Sequence, residues 1–113
     1  DSLWNKLIDG EKKGFVMTPE GKFKKELKTD LEYLFPGCIV THMDPNDIQG
    51  IPDLLVLYKD KWASLECKRS EKAHHRPNQD YYVNMMNDMS YSSFIFPENK
   101  KAVLDELRRV FQV

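Results

Sequence analysis

From Thr18 to Leu34 the apolar residues Phe23, Leu27, Leu31 and Leu34 recur at spacings of four, four and three, the stripe of an amphipathic helix. Thr18 is its expected N-cap, Pro19 its first residue and Glu20 an acid near the positive end of the dipole, while Pro36-Gly37 ends it. Leu3 to Ile8 reads as a shorter preceding helix, finishing near Gly10. Cys38 to Met43 is β-branched and apolar, hence a strand, and Asp44 to Gly50 is a loop.

Pro52–Tyr58 and Trp62–Lys68 are apolar runs around the polar turn Lys59-Asp60-Lys61, a hairpin signal. Both are apolar on both faces near their middles, as in strands covered by helices. Pro77 to about Met89 reads as a helix with a core stripe of Tyr81, Tyr82, Met85, Met86 and Met89. A short strand, Ser92–Phe96, and a last helix, Glu98–Phe111, with Val103, Leu104, Leu107, Val110 and Phe111 inward, complete the order α-β-β-β-α-β-α. That order predicts an α/β fold, a mixed central sheet flanked by helices.

With 113 residues the chain holds one domain and one core, so recognition and chemistry share it. Asp1 is not a Met, so it need not be the natural start. A composition of 41% hydrophobic and 31% charged residues is that of a folded globule. No apolar run is long enough for a membrane span and no secretory signal opens the chain, which reads as intracellular. Cys38 and Cys67 are too few for a disulfide framework and are expected to be reduced. A net charge of −1 argues against indiscriminate coating of nucleic acid. The distribution qualifies this: Lys68–Arg76 and Lys22–Lys28 each hold four basic residues against one Glu. Such runs are also found on ordinary solvated faces.

If the hairpin turns at Lys59–Lys61, Asp53 lies opposite Glu66–Lys68. Strand alternation puts Glu66 and Lys68 on one face and Leu65 and Cys67 on the other, and a slip of one residue would break the match. Charges in so apolar a hairpin lose hydration and need compensation. A strand-end salt bridge would supply it. So would a hard divalent cation, Mg²⁺ or Mn²⁺, bound by Asp53, Glu66 and the backbone carbonyl of Cys67. His74 and His75 lack partners at zinc-ligand spacing and read as loop histidines.

Gly50-Ile51-Pro52-Asp53 followed by Glu66-Cys67-Lys68 resembles the signature of the PD-(D/E)xK nuclease superfamily. With a later Gln at a helix start, Gln79, the pattern looks like the VRR-NUC and the phage and archaeal Holliday-junction-resolvase groups. The resemblance implies a restriction-endonuclease-like fold, metal binding by Asp53 and Glu66, and a Lys68 that positions or activates water. It also implies a further acid from the first helix, Glu20 ahead of Glu26. Glu20 would otherwise be read as a dipole-complementing residue, and Gln79 is equally explained as N-terminal helix polarity.

The expected function is Mg²⁺-dependent cleavage of DNA, with Arg69, Lys72, Arg76 and Gln79 as DNA contacts. Shape-based recognition of branched, flap or junction DNA suits so small a chain, and resolving a junction would need a homodimer. The rival readings are an inactive nuclease-fold binding or assembly module, and a restriction-type endonuclease.

Overall fold

A computed structural model describes residues 17–113. The expected helix at Leu3–Ile8 lies outside them. The first described helix, α1, spans Pro19–Leu34, and its Thr18 Oγ1 accepts the Gly21 amide at 3.1 Å, the N-cap expected from the sequence. Three strands follow, β1 (Ile39–His42), β2 (Leu54–Tyr58) and β3 (Lys61–Cys67), then helix α2 (Pro77–Met89), strand β4 (Ser92–Ile95) and helix α3 (Lys100–Phe111). The sheet order is β1-β2-β3-β4, antiparallel except for the β3–β4 pair, whose parallel sense is made possible by the α2 crossover.

The β2–β3 turn is tighter than the sequence suggests. Tyr58 pairs directly with Lys61, leaving only Lys59 and Asp60 between the strands, with Lys59 at φ 55°. Lys61 therefore belongs to β3. The register nevertheless lands where the alternation requires: Leu54 pairs with Leu65, which sets Asp53 level with Glu66.

Helices α1 and α3 share one sheet face. There Phe23, Leu27, Leu31 and Phe35 meet Leu54, Val56, Tyr58, Ala63, Leu65 and Cys67, closed by Val103, Leu107 and Phe111. Rings of Phe35, Tyr58 and Phe111 pack mutually, with Phe35 and Phe111 edge to face at 5.1 Å. Helix α2 lies on the opposite face of β3 and β4, where the alternate residues Ser64, Glu66 and Lys68 are buried. Ser64 Oγ bonds there to Ser92 Oγ at 2.7 Å.

Two expectations change. Covering on both faces holds for β3, buried from Ala63 to Cys67, but β2 alternates, with Leu54, Val56 and Tyr58 inside and Leu57 exposed. The reason is placement: α2 sits over β3 and β4, leaving the outer face of β1 and β2 bare of described helices. The Tyr/Met stripe of α2 is its core face only in part, with Tyr82, Met85 and Met86 half-buried. Val83 is the buried residue, while Tyr81 and Met89 are exposed. The helix turns Gln79, Val83 and Met86 toward the polar face of β3, so its most apolar stripe and its inward stripe overlap only partly, at Met86.

Candidate active site

Asp53 and Glu66 meet because a two-residue turn fixes the hairpin register, and their contact is through the backbone. The Asp53 amide donates to Glu66 Oε1 at 3.1 Å, and the Cys67 amide donates to Asp53 Oδ2 at 2.9 Å. In a strand the amide and carbonyl of one residue point to the same side, so the Cys67 carbonyl also faces the Asp53 edge. The Cys67 side chain points the other way, into the core, where burial pushes its thiol pKa up. Cys67 thus has no role as a thiol nucleophile; both cysteines are free thiols.

Gln79 forms the opposite wall. Its Oε1 accepts Lys68 Nζ at 2.8 Å and the Arg76 amide at 3.1 Å, and its Nε2 donates to Glu66 Oε2 at 3.2 Å. The second carboxylate oxygen of Glu66 lies 3.7 Å from Lys68 Nζ. Both lone-pair sites of Gln79 Oε1 and one N–H of its Nε2 are thus engaged within the protein. The side chain reaches back to the helix start, as helix polarity predicts, and also holds the acid and the lysine in fixed orientation.

Glu66 is 4% exposed. Burial, reinforced by the neighbouring Asp53, raises its pKa from 4.5 to about 7 against the opposing pull of Lys68. The site holds two carboxylates in a largely buried setting, and its donors are hard oxygens. This donor set fits a divalent cation of the Mg²⁺ class, which uses one or two protein carboxylates and takes its other ligands from water and substrate. Among the described residues no three His, Cys, Asp or Glu side chains converge as a complete protein cage.

Glu20 does not reach the acid pair directly. Between it and Asp53 stands Lys24, whose Nζ is 3.7 Å from Glu20 Oε2 and 3.3 Å from Asp53 Oδ1. Burial alone would lower the Lys24 pKa, but Asp53 and Glu20 together outweigh it and hold the ammonium above the ordinary lysine value. Sequence reasoning passed over Lys24. Its one signal was the i,i+4 spacing from Glu20, which places both on one helix face. Glu26 is exposed and has no contact with the acids.

A cleft of about 280 Å³ opens beside Asp53 and Glu66, walled by the 45–51 loop and by Arg76, Asn78 and Gln79. Gly50 explains how the loop and α2 come so close. It sits at φ 93°, and a Cβ there would lie 2.7 Å from Asn78 Cγ and 2.9 Å from the Asn78 backbone carbon. Asn78 was also missed; its Oδ1 is buried without a hydrogen-bond partner.

Arg69, Lys72 and Arg76 are exposed, and no ion pair holds them among the described residues, but only Arg76 lines the cleft. His75 is stacked on Phe94 with centroids 3.9 Å apart, its Nδ1 3.2 Å from Asp80 Oδ1, so its ring is engaged in packing; His74 is exposed.

The architecture is a nuclease-type fold of the PD-(D/E)xK class. It is similar in particular to a solved VRR-NUC domain: that structure is 26% identical, superposes with a TM-score of 0.60 and covers 71% of this chain and 85% of its own. No protein-family model matches the chain, and no curated protein matches it.

Proposed function

We propose that this protein is a metal-dependent deoxyribonuclease that recognises DNA by shape. The observation that carries the reading is the Asp53–Glu66 pair, locked by reciprocal backbone bonds, with Lys68 held beside it by Gln79. The likeness to a VRR-NUC domain supports the same class of activity.

Asp53, Glu66 and the Cys67 carbonyl would hold Mg²⁺ or Mn²⁺, and Glu20 joins them only if Lys24 moves aside. When bound, the ion supplies Lewis acidity toward the phosphate and a lowered pKa for water. Lys68, fixed by Gln79 Oε1, orients the attacking water and offsets the negative charge that grows on the phosphate. Gln79 itself acts by positioning, since its amide oxygen holds Lys68 and the helix start while its nitrogen holds Glu66. Arg76 at the cleft rim, with Arg69 and Lys72 on the segment after β3, binds flanking phosphates.

The exposed basic residues beside the cleft would meet phosphates rather than base edges, which suits recognition of branched, flap or junction DNA by shape, with a homodimer where two strands are cut. A DNA substrate and two free thiols suit the interior of a cell. Linear duplex, flap and four-way-junction DNA incubated with the protein in Mg²⁺ or Mn²⁺ test this reading. Cleavage of a branched form that is lost in Glu66→Ala is the expected result. Equal inactivity of wild type and Glu66→Ala on every substrate, with DNA binding retained, would instead define a non-catalytic binding module.

A further inference from the structure

Both oxygens of the Asp53 carboxylate already have partners, and the two partners differ in kind. Oδ2 takes the Cys67 amide, which strand β3 fixes in place. Oδ1 faces the Lys24 ammonium, carried on a flexible four-carbon stem. At 3.3 Å this contact is longer than the 2.7–2.9 Å of a well-formed charge-assisted hydrogen bond, so little directional bonding is lost when the ammonium moves. Glu20, one helical turn back, lies 3.7 Å from the same nitrogen and offers a second seat.

We infer that Lys24 is a built-in counter-ion that holds the Asp53 side of the site in the metal-free protein and must be displaced by the divalent cation. The inference rests on the reading that Asp53 is a metal ligand. An ammonium carries one charge and no acceptor, whereas a divalent cation carries two and can bind Asp53 and Glu66 together, so the exchange favours the metal once it is abundant. Displacement uncovers Asp53 Oδ1 and gives Glu20 access to the same region. Lys24 therefore keeps Asp53 neutralised without metal, at the expense of metal affinity.

Titration calorimetry with Mn²⁺ alone, without DNA, tests this on wild type, Lys24→Met, Lys24→Gln and Lys22→Met. Lys22 is an exposed lysine of the same helix without an ion pair to Asp53, so it reports the general effect of removing one positive charge. Both Lys24 variants should bind Mn²⁺ about tenfold more tightly than wild type. Lys22→Met should change the affinity by less than about twofold, because exposed charges are screened. Mn²⁺ should also raise the melting temperature of the Lys24 variants more than that of wild type. Equal affinities for wild type and the Lys24 variants would overturn the inference while leaving the metal site standing. Equal tightening by Lys22→Met would overturn it as well. Absence of Mn²⁺ binding in all four proteins would overturn both the inference and the metal reading.

Discussion

Gln79 donates from Nε2 to Glu66 Oε2 at 3.2 Å, and the other end of the same amide receives the Lys68 ammonium at 2.8 Å. One neutral side chain thereby orients an acid and a base of the site. Gln79→Ala should lower kcat about 10- to 100-fold while leaving KM for DNA within a few-fold, as for other residues that orient ligands. Steady-state kinetics check it; a change confined to KM would mean that Gln79 reads DNA directly.

Lys68→Ala should leave Mn²⁺ binding nearly intact but reduce cleavage by about two to three orders of magnitude, the range for loss of one group that stabilises developing charge. Asp53→Ala and Glu66→Ala should abolish both. Calorimetry and a cleavage assay on the same preparations separate the two roles.

The raised pKa of Glu66 has a consequence for stability. Because the folded protein holds this proton more tightly than the unfolded chain, Glu66 stabilises the fold fully below about pH 4.5, and this contribution is lost as pH rises toward 7. The loss should amount to about 3 kcal/mol without metal, and Glu66→Gln should not show it. Urea unfolding of both proteins at pH 5 and pH 8 measures the difference. Mn²⁺ affinity should run the opposite way, strengthening as pH rises through 7, since the ion needs the ionised carboxylate.

Gly50→Ala combines a left-handed backbone with a collision against Asn78 and should cost about 2–4 kcal/mol. Truncating Asn78 to Ala should recover only part of this, because the Asn78 Cβ and backbone carbon remain in the way. A double-mutant cycle in urea gives both numbers.

Neutralising Arg69, Lys72 or Arg76 singly should weaken DNA binding and reduce the salt dependence by about one counterion for each residue that touches phosphate. Binding isotherms at several salt concentrations read this out. Arg76, at the cleft rim, should show the largest effect.

The hairpin was legible because two local rules agreed: an apolar alternation of period two and a polar turn together fix which residues lie opposite. The first helix was legible to its cap. Lys24 was not, since a lysine four residues after a glutamate is indistinguishable in sequence from an ordinary surface pair; only the approach of α1 to Asp53 gives it a second acid. Asn78 depends on the loop at Gly50 meeting α2, a contact with no sequence period. The α2 stripe was legible only in part: Tyr and Met suggested a core face, whereas this helix packs on the side of β3 that carries Ser64, Glu66 and Lys68.

The two-residue turn between β2 and β3 also bears on how the chain folds. Asp53 and Glu66 are brought together by closing a short loop, which costs little chain entropy and takes microseconds in isolated hairpins. The cleft wall at Gln79 and Asn78 forms only when the longer crossover through α2 docks on the sheet. We therefore expect high φ-values in β2 and β3 and low ones in α2. The acids would then find each other early in folding, and the surface that presents them to a substrate would arrive afterwards.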